Sequence, residues 1–388
     1  MTLRTRSLLA AICGVAVATV YAAQPVLGEM GRSLGVSEAA SGWLVSAGQL
    51  GYLAGLVLLV PLGDRHDRRR LIALQLALVA VGVFVVALAP QAVTAFAALV
   101  FVGLFAVVVQ TTVAYAADVS GPGERGRNLG FVTSGVVIGI LGSRLLAGVL
   151  TDLWGWRSVY VALGALAVIL GAAALLILPD DIRRPSGGYL SLLRGLRALF
   201  TEPVFLSRGI IAFFLFASFG TLWSGMALPL SAAPWQLTEA QIGLFGIAGL
   251  AGALGATRAG RWADVGRANS VTGIALVALV ACWPLIGQLS WSLVLLTVGI
   301  IALDLAVQAA HVSNQHILTT RHPHNVSTTI GGYMVFYSLG SAVGAVTTTA
   351  AFGVSGWTGS AVWGAVFATA GLAAWTLTLP VMRDARTG

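Results

Sequence analysis

Asp304, Gln308, His311 and Gln315 follow one another at intervals of four, three and four residues inside a long apolar segment. On an α-helix that spacing places all four on one face. A carboxyl group shielded from water keeps its proton to higher pH than an exposed one. An imidazole titrates near neutrality when nothing perturbs it. The pattern therefore offers proton exchange, with Asp304 as the carrier and His311, one to two turns along, as a relay. A cationic ligand would favour the ionised carboxylate, so ligand and proton would compete. The plainer alternatives are a structural carboxylate paired with a neighbouring helix and a histidine that satisfies a helix contact. Arg144 is the second ionisable residue deep in apolar sequence. It could bind an anionic group, pair with Glu29, bridge to Asp304, or reach the interface near Asp152 along its own aliphatic stem.

The elements that must position these residues are membrane spans. Of 388 residues, 57% are hydrophobic and only 9% charged, and the mean hydropathy is +0.90. A soluble domain carries roughly a quarter charged residues. About 20 apolar residues cross roughly 30 Å of hydrocarbon. Twelve segments meet that length, at roughly 7–28, 40–62, 71–90, 93–117, 128–150, 157–178, 207–230, 240–261, 270–288, 291–315, 326–350 and 358–380. Most are apolar around the whole circumference, which excludes surface helices of a soluble protein. The first continues too far for a cleaved signal peptide. The expected class is an all-α membrane protein.

The net charge of +8 comes from arginine alone, since the chain has no lysine. With the N-terminus inside, 19 arginines fall on the cytoplasmic side and two, Arg32 and Arg157, on the other. The positive-inside rule then puts both termini in the cytoplasm of a bacterial cell, in its plasma membrane. These arginines sit in short loops, so the basic balance speaks for topology and not for nucleic acid. The expected division is an N-terminal bundle over 1–180, a cytoplasmic linker over 181–206, and a C-terminal bundle over 207–388. Within the linker, Tyr189 to Phe200 is amphipathic and suits the membrane surface.

The two halves echo each other. Gly63-Asp64-Arg65-His66-Asp67-Arg68-Arg69-Arg70 follows the second span, and Arg261-Trp262-Ala263-Asp264-Val265-Gly266-Arg267 follows the eighth. Gly155-Trp156 and Gly356-Trp357 precede the sixth and twelfth. Pro61 to Arg70 resembles the loop 2–3 signature of the major facilitator superfamily, with Asp67 where that pattern usually has glycine. Tyr21-Ala22-Ala23-Gln24-Pro25-Val26-Leu27 and Gly139-Ile140-Leu141-Gly142-Ser143-Arg144 resemble its bacterial 12-span drug/proton antiporters. So does the stretch from Leu303 to Tyr337. Two features depart from that group. Span 5 has Ser143-Arg144 near where a Gly-Pro pair is usual, and Gln110 is the central polar residue of span 4, where many members carry arginine.

The resemblance implies two pseudo-symmetric six-helix bundles with spans 1, 4, 7 and 10 lining a midplane cavity. Gln24, Gln110, Tyr115, Phe216, Trp223, Gln308, Asn314, Gln315, Tyr333 and Tyr337 are then candidate substrate-cavity residues. Phe216 and Trp223 share a face of span 7, and aromatic faces can hold flat apolar or cationic ligands; core packing is the commoner use. Asp64 with Arg65, Arg68 and Arg69, and Asp264 with Arg267, are candidates for cytoplasmic gating, Asp64 against the start of span 11. The plain alternative is that these arginines only fix topology. Gly135, Gly139, Gly142, Gly340 and Gly344 permit close helix approach.

No phosphate-binding GxxxxGK[ST] loop occurs, which argues against ATP as the energy source. No nucleophile–base pair assembles, so an enzyme is not expected. His322 and His324 form a poor metal pair, and no metal or cofactor is expected. The leading reading is a monomeric secondary transporter in the lipid bilayer, exporting small amphiphilic or cationic compounds in exchange for protons by alternating access. The alternatives are an exporter of a sugar, amino acid or other polar metabolite, and a membrane sensor or scaffold that does not transport.

Overall fold

A computed structural model describes residues 1–64, 66–121, 124–180, 197–255, 267–322 and 326–380. Among these residues the chain is helical with no strand. The order is α1 (Leu3–Tyr21), α2 (Leu27–Ser33), α3 (Glu38–Leu58), a 3-10 turn (Val60–Asp64), α4 (Arg68–Leu88), α5 (Ala92–Ala106), α6 (Val108–Asp118), α7 (Arg125–Trp154) and α8 (Trp156–Ile177). The remaining elements are α9 (Pro203–Gly225), α10 (Ala227–Ser231), α11 (Glu239–Gly255), α12 (Ala268–Ile286), α13 (Leu293–Arg321) and α14 (Val326–Leu377).

Ten stretches are long and apolar enough to cross a bilayer. The last of them is two spans joined end to end, and the shorter apolar α11 supplies one more. The twelve expected spans are thus accounted for, with three differences of detail. Span 4 is broken at Val107 into α5 and α6. Span 7 is likewise broken at Met226 into α9 and α10. Spans 11 and 12 have no loop between them: Gly356 alone, at φ 60° and ψ −155°, turns the chain inside α14. Gly155 does the same between α7 and α8, at φ 78° and ψ 163°. A residue with a β-carbon adopts such a φ only with strain, so glycine is the natural choice at both. The amphipathic stretch from Tyr189 lies, except for its last few residues, outside the described residues.

Large apolar side chains cover the helix exteriors; Leu176 is 85% and Val354 87% exposed. In water such a surface would aggregate, whereas in hydrocarbon it is the solvated face.

The chain separates into two compact units. The first holds Met1–Val36, Ala47–Tyr189 and Thr238–Gly243. In it, α1 and α7 touch backbone to backbone: a β-carbon on Gly135 would lie 2.1 Å from Ala10 O, and one on Gly139 2.3 Å from Gly14 O. The second holds Ser37–Ser46, Leu190–Leu237 and Leu244–Gly388. There α9 and α14 meet in the same manner, at Gly340 against Phe213 O and Gly344 against Ala217 O. Gly142 makes no such approach; its nearest neighbour of this kind is a side-chain atom of Ile138 at 3.9 Å.

Candidate transport site

In the second unit three helices bring four of the expected residues together. Phe216 comes from α9, His311 from α13, and Tyr333 and Tyr337 from α14. The Phe216 and Tyr337 ring centroids are 3.8 Å apart, and Phe216 meets the His311 ring edge-on at 5.2 Å. His311 Nδ1 lies 3.1 Å from Tyr333 Oη. Tyr333 is buried, while His311, Gln308 and Gln315 are half-buried on α13. The cluster combines an imidazole, two phenols and a phenyl face, which suits an aromatic or amphiphilic ligand better than a highly charged one.

Asp304 belongs to the same helix and is 1% exposed. Gly252 of α11 packs against it, since a β-carbon there would lie 3.1 Å from Asp304 Cβ and 2.3 Å from Ile301 O. Asp304 therefore faces α11, and His311 two turns on faces α9 and α14. Asn314 links Tyr333 of the cluster to Arg208: its side chain is within hydrogen-bond reach of Tyr333, and its Oδ1 accepts from Arg208 at 3.3 Å and from Thr272 at 3.4 Å. These bonds lie in the interior between α9, α12, α13 and α14. Trp223 is buried in α9, 6.3 Å from Phe219 by ring centroids.

In the first unit Arg144 is 1% exposed and donates to Gln24 Oε1 at 3.0 Å. It thus ties α7 to the end of span 1. Glu29 instead faces Trp156, whose backbone N–H approaches Glu29 Oε1 at 3.4 Å. Asp152 accepts from the backbone N–H groups of Glu239 and Ala240, each at 3.0 Å. Gln110 donates to Tyr52 Oη at 3.1 Å. Tyr115 is buried and donates to Pro179 O at 3.0 Å, a bond that fixes the end of span 6 to α6. An apolar cleft of about 370 Å³ runs between α1, α7 and α8, past Gly14, Gly139 and Leu163, and none of the expected cavity residues lines it.

Among the described residues the arginine-rich loop holds three ion pairs, Arg68–Asp118, Arg69–Asp180 and Arg70–Asp67 (Nε to Oδ2 3.6 Å), and a helix cap. Arg68 donates to Asp118 Oδ2 at 2.6 Å and to Gly63 O at 2.8 Å. Arg69 donates to Asp180 Oδ1 at 2.5 Å and to Leu175 O. Together they clamp α4 to the ends of α6 and α8. Asp67 caps α4 by accepting from Arg69 N at 2.8 Å and Arg70 N at 3.4 Å. Asp64 closes the 3-10 turn. Arg65 and Asp264 lie outside the described residues, as does His324. Arg267 is exposed at the start of α12. His322 Nε2 lies 2.8 Å from Glu202 Oε2, and Arg321 donates to Glu202 Oε1 at 2.6 Å.

Asp118, Asp180 and Arg208 do not stand out in the sequence as site residues, and Asp152 does so only as a marker of the interface. The three acids end or follow helices, where a carboxylate is unremarkable, and Arg208 counted only toward topology. Their partners are distant in the chain, so only the fold brings them together.

The helical fold agrees with what similarity shows. The chain is 37% identical over 369 residues to the transporter YgaY of Escherichia coli O157:H7, covering 95% of this chain and 94% of that one. It is 30% identical over 149 residues to the multidrug resistance protein Stp of Mycobacterium tuberculosis, covering 37% and 28%. Among solved structures, a bacterial homologue of the human lysosomal transporter Spinster superposes with a TM-score of 0.79 at 17% identity, over 96% of both chains. The sequence pattern of the Major Facilitator Superfamily matches residues 9–345, and the chain belongs to that superfamily of multi-pass membrane transporters.

Proposed function

We propose that this transporter exports small amphiphilic or cationic compounds in exchange for protons, by alternating access, in the bacterial cytoplasmic membrane with both termini in the cytoplasm. The observation that carries the reading is the placement on one helix, α13, of a buried carboxyl, Asp304, and of His311 within an aromatic cluster. A buried carboxyl in hydrocarbon is costly, and where it persists it usually marks an ion or substrate path. The Phe216, Tyr333 and Tyr337 rings supply the flat surface, and Asp304 supplies the exchangeable proton. Similarity of part of the chain to Stp, named a multidrug resistance protein, supports the same reading. The proton gradient is the energy source, and no cofactor enters. Export of a polar metabolite is the second reading, favoured by the Gln110–Tyr52 and Arg144–Gln24 bonds.

The test uses purified protein in vesicles with an acidic lumen and an internal pH reporter, with compounds added one at a time. Proton release that requires both compound and protein, and that disappears in Asp304→Asn, is the expected result. Release that survives Asp304→Asn removes Asp304 from the mechanism. Release driven by polyols or amino acids and not by organic cations moves the substrate class to the second reading.

A further inference from the structure

Arg208 stands in the second turn of α9 and is 0% exposed. Phe205 and Ala212, three residues before it and four after, share its helix face. Both join Leu199, Leu318 and Tyr333 in one buried apolar cluster. The guanidinium is therefore set among apolar side chains, where a charge is costly unless it is paired.

The fold does not pair it. Nη1 donates to Asn314 Oδ1 at 3.3 Å, but Nε and Nη2 have no hydrogen-bond partner among the described residues. The acids among the described residues of the second unit are Glu38, Glu202 and Asp304. Glu38 is exposed at the start of α3. Glu202 is taken by Arg321 and His322. Asp304 lies ten residues before Asn314 on α13, about 15 Å along the helix. The titratable side chain near enough to act on the Arg208 charge is the Tyr333 phenol, and a phenol is neutral at ordinary pH.

The two open donors have a shape. Nε–H and one Nη2–H point the same way from one edge of the planar group, the fork that takes a carboxylate through two parallel bonds. The other edge leads to the aromatic cluster. Asn314 is within hydrogen-bond reach of Tyr333, Tyr333 Oη lies 3.1 Å from His311 Nδ1, and Phe216 and Tyr337 pack beside that imidazole. Arg208, Ala212 and Phe216 follow one stripe of α9 at intervals of four, so the ring and the cation are about 12 Å apart along the helix.

We propose that Arg208 anchors a carboxylate, and that the compound carried is an amphiphile with an aromatic body and one carboxylate end. The body lies against Phe216 and Tyr337, and the carboxylate takes the Nε–Nη2 fork. This narrows the substrate class of the reading above to acids. The guanidinium is covered in this conformation, so entry of the compound rests on the alternating-access part of that reading; the need of the guanidinium for an anion does not.

The test reads equilibrium binding without flux, so it fails separately from the proton-exchange reading. Purified full-length protein in a neutral detergent is titrated by calorimetry with 2-naphthoate, its neutral amide, a naphthyl ammonium and acetate. Naphthoate should bind, and the other three should bind at least about tenfold more weakly. Arg208→Lys keeps the charge but not the fork and should weaken naphthoate binding about tenfold; Arg208→Met should weaken it about a hundredfold. Without ligand, Arg208→Met should melt at or above the parent, because it removes a buried charge that the fold leaves unpaired. No naphthoate binding in the parent, or equal binding in Arg208→Met, overturns the proposal. So does an amide or ammonium that binds as tightly as naphthoate. Acetate binding as tightly would leave a free-anion site and overturn the assignment to a carried compound. Arg208→Met melting below the parent would make Arg208 a structural residue.

Discussion

Gly42 and Gly243 occupy equivalent places 201 positions apart, and the residues they touch are equally spaced. A β-carbon on Gly42 would lie 2.2 Å from Ala345 O, and one on Gly243 2.7 Å from Arg144 O. Each contact lies within its own compact unit. The duplication seen in the loop signatures thus extends to helix crossings, where a side chain on either glycine has no room. Gly243→Val should destabilise the protein by about 1–3 kcal/mol, read from denaturant melts in detergent. An unchanged melt in that variant would show that the crossing tolerates the added bulk.

The Phe216–Tyr337 ring pair makes a prediction about affinity. Phe216→Ala removes one face of the cluster around His311. A ring face against a cation or flat ligand is worth about 0.5–2 kcal/mol. The KM of a transported amphiphile should rise roughly 3- to 30-fold, with a smaller change in kcat. The measurement is compound-driven proton release at varied concentration. An equal fall in kcat with KM unchanged would place these rings outside the binding surface.

Arg68 and Asp118 should behave as a coupled pair. Arg68 is buried and Asp118 is partly exposed, so the pair is worth less than a fully buried one. Arg68→Ala should destabilise the protein by about 1–3 kcal/mol, and the double-mutant cycle with Asp118→Ala should show a coupling of about 1 kcal/mol. Denaturant melts in detergent measure both. Additive effects would mean that the bond to Gly63 O, and not the ion pair, holds the loop.

Asp67 gives a graded prediction. Removing a helix N-cap costs about 0.5–2 kcal/mol when alanine replaces it and only a few tenths when glycine does. Asp67→Ala should therefore lower stability by about 1 kcal/mol and Asp67→Gly by much less. The same scale explains why the superfamily pattern can carry glycine at this position while this chain carries aspartate. Equal losses in both variants would show that Asp67 acts through Arg70 and not through the cap.

The spans were legible because burial in lipid demands long apolar runs, and the composition leaves nowhere else for them. The loop signature and the Gly-Trp echoes were legible because local turns need particular residues. The breaks at Val107 and Met226 were not, since neither position differs in polarity from its neighbours. Arg144 stands out by its charge, yet its partner Gln24 lies 120 residues away, and no spacing rule reaches that far. Asp304 and His311 were grouped by helical periodicity, which is a local property. That Asn314, only three residues beyond His311, joins Tyr333 to Arg208 follows from packing between helices and is set by the fold alone.

Gly155 and Gly356 each connect two membrane helices through a single residue. Neither helix of such a pair has slack to wait in water while the other enters lipid. During synthesis, α7 with α8, and the two arms of α14, must therefore partition into the bilayer as preformed hairpins. The chain would be built into the membrane in those places by pairs of spans, with each pair's second helix committing the first.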